Sequence, residues 1–181
     1  MEIFKGRIAA TKLERLPLAI ATSVPMVIVL DADILACVDI QLKAMIKRKP
    51  VFFHVDLMKG IVADREGLQY LKDQVGIAGI VSTKSNLIRA AHSIGLMAIQ
   101  RTFLIDTASL EASLESILRN PPDAIEFMPG LAISIVPYLK TRLQIPIIMA
   151  GLIHSEVDVK AAFDAGADAV SMSDQKLWEA P

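Results

Sequence analysis

The sequence predicts an α/β protein that folds as a single (β/α)8 barrel of the TIM type. Eight short apolar runs recur along the chain, one helical segment separates each run from the next, and the last two runs end in small residues. Apolar runs without polar alternation are typical of parallel strands that are buried on both faces. One helix in every link requires parallel strands with right-handed crossovers. An open doubly wound sheet is the alternative.

The predicted elements alternate from the first strand to the last. Strands are predicted over residues 7–10, 24–30, 51–55, 79–81, 97–100 and 124–127, then in one run that is closed by Gly151 and one that is closed by Ser171 and Ser173. Helices are predicted over residues 11–19, 34–49, 64–75, 86–93, 109–119, 131–143 and 156–165. Pro50 ends the second helix, since proline cannot continue one. With no linker and no second apolar core, residues 1–181 are predicted to form a single domain.

The composition is that of a globular protein. Hydrophobic residues make up 53% of the chain, yet no apolar stretch reaches the roughly 18 residues that a membrane span needs. The first fifteen residues are charged and contain no apolar core, so we expect no secretory signal. The single cysteine, Cys37, excludes an internal disulfide. We therefore expect a cytoplasmic protein.

The charge is distributed unevenly, although the whole chain carries only −1. Residues 1–60 hold nine Lys and Arg against six Asp and Glu, which leaves +3, and the remainder carries −4. One basic cluster, Lys43, Lys47, Arg48 and Lys49, falls at the end of the second predicted helix. It is a candidate nucleic-acid surface. The alternative is a solvated helix face whose cations favour the helix dipole.

The last two strands predict a phosphate site. In β/α barrels the loops after strands seven and eight, with a short extra helix, commonly bind phosphate. Gly151 and Ser173 end these strands, and small residues let backbone N–H groups approach a ligand closely. Ser173 or Asp174 could cap a short helix whose N-terminus favours an anion.

Charged residues end several of the other strands, at the same predicted mouth of the barrel. They are Asp31, Asp56, Lys84, Arg101 and Glu126. The cations of this set can bind a phosphate group, and the carboxylates can accept hydrogen bonds from hydroxyl groups. Such a mouth suits a small polar phosphate ester. The alternative is that these side chains only neutralise one another.

Motifs for other chemistry are scarce. There is no Walker loop and no G-x-G-x-x-G, and the three histidines stand alone, at no metal-ligand spacing. No serine occupies a nucleophile elbow. We therefore predict no catalytic residues, no metal and no cofactor.

Several strings resemble one known family, the glycerol-3-phosphate-responsive antiterminators. The specific ones are HVDLMKGI and IQRTFLIDT; VLDADI, GIVSTKSNLI, IEFMPGLAISIV, IPIIMAGLI and GADAVSMSDQKLW accompany them in order. The resemblance implies a β/α barrel, cytoplasmic location, no catalysis, and action on leader mRNA once glycerol 3-phosphate is bound. One departure is Ala150, where the family usually has a first glycine before Gly151. If position 150 needs a positive φ, alanine there is strained.

The strand-end pattern and the resemblance together assign roles to residues of this chain. The phosphate is expected at the backbone N–H groups of Gly151, Leu152, Met172 and Ser173. The glycerol end and the mouth are expected at Asp56, Lys59, Lys84, Arg101 and Glu126. The expected partners are leader mRNA and glycerol 3-phosphate, without a membrane, and a homo-oligomer is compatible with the sequence.

Two other classes of function remain open from the sequence. One is an enzyme that acts on a small phosphorylated substrate, with Asp56 or Glu126 as general base. The other is a metabolite-binding protein whose partner is a protein. Turnover of phosphate esters distinguishes the enzyme from the regulators, and ligand-dependent binding to leader RNA distinguishes the two kinds of partner.

Overall fold

The computed structural model describes residues 2–179 and confirms the predicted barrel. Eight parallel strands pair in chain order, and β1 also pairs with β8, which closes the sheet. The strands are β1 (Gly6–Thr11), β2 (Val27–Val29), β3 (Val51–His54), β4 (Gly79–Ser82), β5 (Met97–Phe103), β6 (Ala124–Met128), β7 (Ile147–Ala150) and β8 (Ala169–Met172). Within residues 2–179, no helix is long and apolar enough to cross a membrane.

Helices connect the strands around the outside of the barrel. They are α1 (Leu16–Ala21), α2 (Ile34–Cys37), α3 (Ile40–Ile46), α4 (Arg65–Tyr70), α5 (Ser85–Ser93), α6 (Thr107–Arg119), α7 (Val136–Arg142) and α8 (Glu156–Asp164). Short 3-10 turns add Glu2–Phe4, Leu13–Arg15, Val55–Leu57, Ile133–Ile135 and Gln175–Leu177, and a π turn, Leu71–Val75, extends α4. The predicted βα alternation is thus present in every link.

The single helix predicted over residues 34–49 is wrong, because the chain forms two short helices there. Asp33 caps α2 by accepting a hydrogen bond from the N–H of Leu35 at 2.9 Å. Asp39 accepts one from the N–H of Leu42 at 3.1 Å as α3 begins. A short side chain that bonds to nearby backbone N–H groups competes with a continuous helix. The carboxylate of Asp39 therefore starts a new helix.

Two strands differ from their predicted bounds by more than one residue at an end. The strand predicted over 24–30 shortens to β2, since Pro25 has no N–H to give to a ladder. The strand predicted over 97–100 extends through β5, so Arg101 lies within it. Arg101 is consequently buried between neighbouring strands, at 8% exposure.

Side chains that point inward fill the barrel and close it at the N-terminal ends of the strands. Phe4 is fully buried and meets Phe52 edge to face, with ring centroids 5.8 Å apart. A Cβ at Gly79 would lie 2.3 Å from the Phe52 ring, so only glycine fits opposite it. A second core fills the space between the strands and the helices. Because this end of the barrel is packed, the space for a ligand lies at the C-terminal ends of the strands.

The segment after β8 is a single 3-10 turn where the other links have α-helices. Trp178 follows this turn and is 1% exposed. Its indole N–H donates a hydrogen bond to the carbonyl of Met172 at 2.9 Å. The only tryptophan of the sequence therefore anchors the end of β8.

Candidate functional site

A cavity of about 230 Å³ opens at the C-terminal ends of the strands. Its walls come from β5 and β6 and from the loops after β7 and β8, with Ala10 and Leu30 on the opposite side. The cavity brings six predicted residues together: Arg101, Glu126, Gly151, Leu152, Met172 and Ser173. The sequence reasoning did not assign Ala10, Leu30 or Ser171 to the site. Alternation along β8 could have indicated Ser171, which lies two residues before Ser173.

The loop after β7 has an unusual backbone. Gly151 has a φ of +78°, and Leu152, with a φ of +61°, is the one non-glycine residue with a positive φ among residues 2–179. A Cβ on Gly151 would lie 2.6 Å from Cε of Met128, so a side chain there first meets Met128. Ala150 belongs to β7 and has no positive φ. The alanine that departs from the family pattern is therefore unstrained.

The loop after β8 is held by a cap. Of the two predicted candidates, Asp174 is the N-cap of the last 3-10 turn, since its carboxylate accepts a hydrogen bond from the N–H of Lys176 at 3.0 Å. Ser173 precedes it and lies exposed in the cavity wall. The cap and the Trp178 hydrogen bond fix the two ends of this loop.

The inner part of the site contains a buried ion pair. Nε of Arg101 lies 2.5 Å from Oε2 of Glu126, and the side chains are 8% and 0% exposed. The other carboxylate oxygen, Oε1, is buried and has no hydrogen-bond partner within residues 2–179. Glu126 thus lines the cavity with one satisfied and one unsatisfied carboxylate oxygen.

His54 ends β3 and Asp56 lies in the 3-10 turn that follows, with Nε2 of His54 3.8 Å from Oδ2 of Asp56. Burial lowers the pKa of His54 below its ordinary value, and the nearby charge of Arg101 lowers it further. Both ring nitrogens are buried without a hydrogen-bond partner within residues 2–179. A neutral imidazole therefore faces the centre of the barrel.

Asp56 fastens the loop after β3 to the loop after β4. Its carboxylate accepts hydrogen bonds from the Ser82 hydroxyl at 2.8 Å and from the Thr83 N–H and hydroxyl at 2.7 and 2.8 Å. Burial raises the pKa of Asp56, but these hydrogen bonds outweigh it and hold the pKa below its ordinary value. Both oxygens of Asp56 are thus already engaged by the protein.

The structure does not bring Asp56, Lys59 or Lys84 into the lining of the cavity that holds Arg101. Lys59 and Asp31 line a separate groove of about 430 Å³, which Lys12 and Asp33 also line. Lys84 stands exposed at the N-cap of α5. No cluster of three or more His, Cys, Asp or Glu side chains suited to a metal ion occurs within residues 2–179.

The basic cluster lies at the opposite end of the barrel. It ends just before Val51, where β3 begins, whereas the cavity lies at the other ends of the strands. Lys47 and Arg48 are exposed, and Lys43 is half-buried. Lys49 donates a hydrogen bond to the carbonyl of Thr22 at 2.5 Å, and burial lowers its pKa. Lys49 therefore has a structural partner.

Comparison with known proteins points to one family. A glycerol uptake operon antiterminator regulatory protein from Listeria monocytogenes str. 4b F2365 has a solved structure that is 30% identical, with a TM-score of 0.86 over 97% of this chain and 96% of that one. An antiterminator-related protein from Thermotoga maritima MSB8 is 27% identical, with a TM-score of 0.80 over 97% and 98%. The uncharacterized protein YgcP of Escherichia coli (strain K12) is 31% identical over 163 residues, 90% of this chain and 85% of its own.

The family comparison agrees with both structural relatives. The sequence model described as "Glycerol-3-phosphate responsive antiterminator" matches residues 8–178, from β1 to the tryptophan that follows the last 3-10 turn. Such a match spans nearly all of the described residues. The chain belongs to the glycerol-3-phosphate responsive antiterminator family.

Proposed function

We propose that this protein is a transcription antiterminator that binds glycerol 3-phosphate at the barrel mouth and then acts on the leader mRNA of glycerol-utilisation operons. The observation that carries the proposal is the small cavity in which the loops after β7 and β8 meet the buried Arg101–Glu126 pair. Loops at these positions suit a phosphate, and the charged pair suits hydroxyl groups. A volume of about 230 Å³ suits a ligand of a few carbons, since drug-sized ligands occupy roughly 300–1,000 Å³.

The two ends of the ligand would meet different groups. The phosphate contacts the backbone N–H groups of Gly151, Leu152, Met172 and Ser173. The glycerol end contacts Arg101 and Glu126, while Asp56, Lys59 and Lys84 remain candidates for the wider mouth. Backbone donors cost little to organise, because the left-handed residues of the loop already hold their conformation in the free protein.

A regulatory role is favoured over catalysis. Asp56 is a poor general base, because three hydrogen bonds stabilise its carboxylate and lower its pKa. Glu126 is held by Arg101. The alternative is an enzyme that acts on a small phosphorylated substrate, with Glu126 as the base. A regulator of leader transcripts would work in the cytoplasm, without a membrane, metal or cofactor.

Calorimetry and fluorescence test the ligand. We expect glycerol 3-phosphate to bind with one site per chain and unphosphorylated glycerol to bind at least ten times more weakly. Trp178 is bonded to the carbonyl of Met172, so its emission should change on titration with glycerol 3-phosphate. Equal affinity for glycerol and its phosphate would reject the phosphate site.

Transcription in vitro tests the regulation. A template that carries a glycerol-operon leader and terminator should give more read-through when the protein and glycerol 3-phosphate are both present than with either alone. Consumption of glycerol 3-phosphate by the purified protein would instead support the enzyme. Ligand binding without any effect on the leader would favour a metabolite-binding protein with a protein partner.

A further inference from the structure

The free oxygen of Glu126 indicates which ligands the cavity can accept. Glu126 is fully buried, and Arg101 occupies Oε2 at 2.5 Å. Oε1 has no hydrogen-bond partner within residues 2–179, although the side chain lines the cavity. A buried acceptor without a partner is costly, and one that belongs to a carboxylate is costlier still. A ligand that supplies the hydrogen bond would remove this cost.

A carboxylate oxygen accepts hydrogen bonds and donates none. An alcohol can donate to it, whereas a carbonyl oxygen at the same carbon brings a second acceptor against the first. The opposite wall offers no donor to a carbonyl, since the side chains of Ala10 and Leu30 are apolar. Ser171, Ser173 and His154 also line the cavity and can donate to a carbonyl, but only a donor on the ligand satisfies Oε1 of Glu126.

We propose that Oε1 of Glu126 accepts a hydrogen bond from a ligand hydroxyl, and that this contact makes the site selective for polyol phosphates over the corresponding keto and aldehyde phosphates. The proposal rests on the proposed function, because it assumes that a phosphate ester occupies this cavity. It adds the discrimination between a reduced and an oxidised three-carbon phosphate. The protein would then respond to the alcohol even when the carbonyl compound is also present.

Binding to the wild-type protein tests the selectivity without any mutation. Calorimetry compares glycerol 3-phosphate with dihydroxyacetone phosphate, glyceraldehyde 3-phosphate and propyl phosphate, which have the same phosphate but a carbonyl at one carbon or no hydroxyl. Propyl phosphate and at least one carbonyl compound should bind about 10- to 100-fold more weakly, the range expected for one hydrogen bond to a charged group. Affinities of all four within threefold would overturn the proposal.

Glu126→Gln tests the assigned atom. The amide keeps an oxygen for Arg101 and places an N–H group where Oε1 stood, so it can donate to a carbonyl. The ratio between glycerol 3-phosphate and the disfavoured carbonyl compound should fall at least fivefold. A ratio equal to that of the wild type would assign the selectivity elsewhere and overturn the role of Glu126.

Glu156→Gln is the matched control. Glu156 also pairs with an arginine, Arg7, at 2.6 Å, but it lies at the start of α8 and outside the cavity. This variant should keep the wild-type ratio, and an equal fall in both variants would contradict the proposal. If Glu126→Gln does not fold, the affinities of the wild-type protein for the four phosphates still test the selectivity. Failure of glycerol 3-phosphate to bind would reject the proposed function, whereas binding without selectivity would reject only this inference.

Discussion

Arg101 and Glu126 are direct cross-strand partners in the barrel wall, and their side chains meet inside it at 2.5 Å between Nε and Oε2. Neighbouring inward positions on β5 and β6 place them opposite each other, so their pairing follows from the strand register. Neither side chain is more than 8% exposed. A pair in such surroundings has lost most of its hydration, and each charge depends on the other.

Removing one partner of this pair should therefore destabilise the protein strongly. We expect Glu126→Ala to lower the free energy of unfolding by about 3–5 kcal/mol, because it leaves the guanidinium of Arg101 buried without its carboxylate. Urea unfolding followed by circular dichroism measures the change. The double variant Arg101→Met with Glu126→Leu should recover part of the loss, because apolar side chains of similar size need no partner.

The pair between Arg7 and Glu156 provides the comparison. Glu156 has a side chain that is 41% exposed, so water can solvate its partner once the carboxylate is removed. Glu156→Ala should therefore destabilise the protein much less than Glu126→Ala. Equal losses in the two variants would mean that burial does not determine the strength of the Arg101 pair.

A second prediction concerns stability between pH 7 and pH 5. The pKa of His54 is lower in the folded protein than its unfolded value of about 6.5, so the unfolded chain takes up the proton first as the pH falls. The contribution of the neutral imidazole is complete above pH 6.5 and is lost as the pH falls toward the folded pKa. Thermal unfolding across this range should show wild-type stability decreasing more steeply than that of His54→Gln. Above pH 7.5 the two curves should run parallel; parallel curves down to pH 5 would contradict the assignment.

The fold could be predicted from the sequence because its signals are local. Apolar runs and single helical links specify parallel strands. The break after α2 could have been anticipated from Asp39, a residue that favours helix starts. The extent of β5 could not, because the ladder with β6 sets it.

The site could be predicted only in part, for a related reason. Predicted strand ends placed Gly151, Ser173, Arg101 and Glu126 at one mouth, and all four line the cavity, although Arg101 and Glu126 lie within β5 and β6. Loops after the strand ends depend on long-range contacts that no sequence window shows. The same limit applies to Lys49, whose partner Thr22 lies 27 residues away.

A third prediction uses two glycines that differ in their surroundings. Gly151 and Gly76 have φ of +78° and +86°, but a Cβ on Gly76 would meet nothing within 4 Å, whereas one on Gly151 would lie 2.6 Å from Met128. Alanine in a left-handed conformation costs about 1–2 kcal/mol. Urea unfolding should show this loss for Gly76→Ala and a larger one for Gly151→Ala.

Ligand binding separates the two glycine variants further. Displacement of Met128, which lines the cavity, should weaken glycerol 3-phosphate binding to Gly151→Ala severalfold in calorimetry, while Gly76→Ala keeps the wild-type affinity. Wild-type affinity in the folded Gly151→Ala protein would show that the loop after β7 tolerates a side chain, which argues against close contact with the phosphate.

The last prediction concerns the basic cluster, the proposed RNA surface, at the end of the barrel opposite to the cavity. Lys43 and Lys47 are four residues apart, and the N–H of Lys47 bonds to the carbonyl of Lys43 at 3.4 Å, so both follow one helical face. If a chain with a net charge of −1 binds RNA, a local basic patch has to supply the attraction. Aromatic residues make up only 5% of the chain, which favours backbone contacts over base stacking.

Reversing both charges should weaken leader binding and flatten its dependence on salt. Each phosphate of single-stranded RNA that a cation neutralises contributes roughly −0.7 to the slope of log affinity against log salt. Lys43→Glu with Lys47→Glu should therefore reduce that slope by about 1.4 if both lysines meet phosphates, and should leave glycerol 3-phosphate affinity unchanged. The control Arg89→Glu with Lys160→Glu makes the same change of charge on α5 and α8. Titration of leader RNA at several salt concentrations measures both, and equal losses would show that total charge, rather than this patch, governs RNA binding.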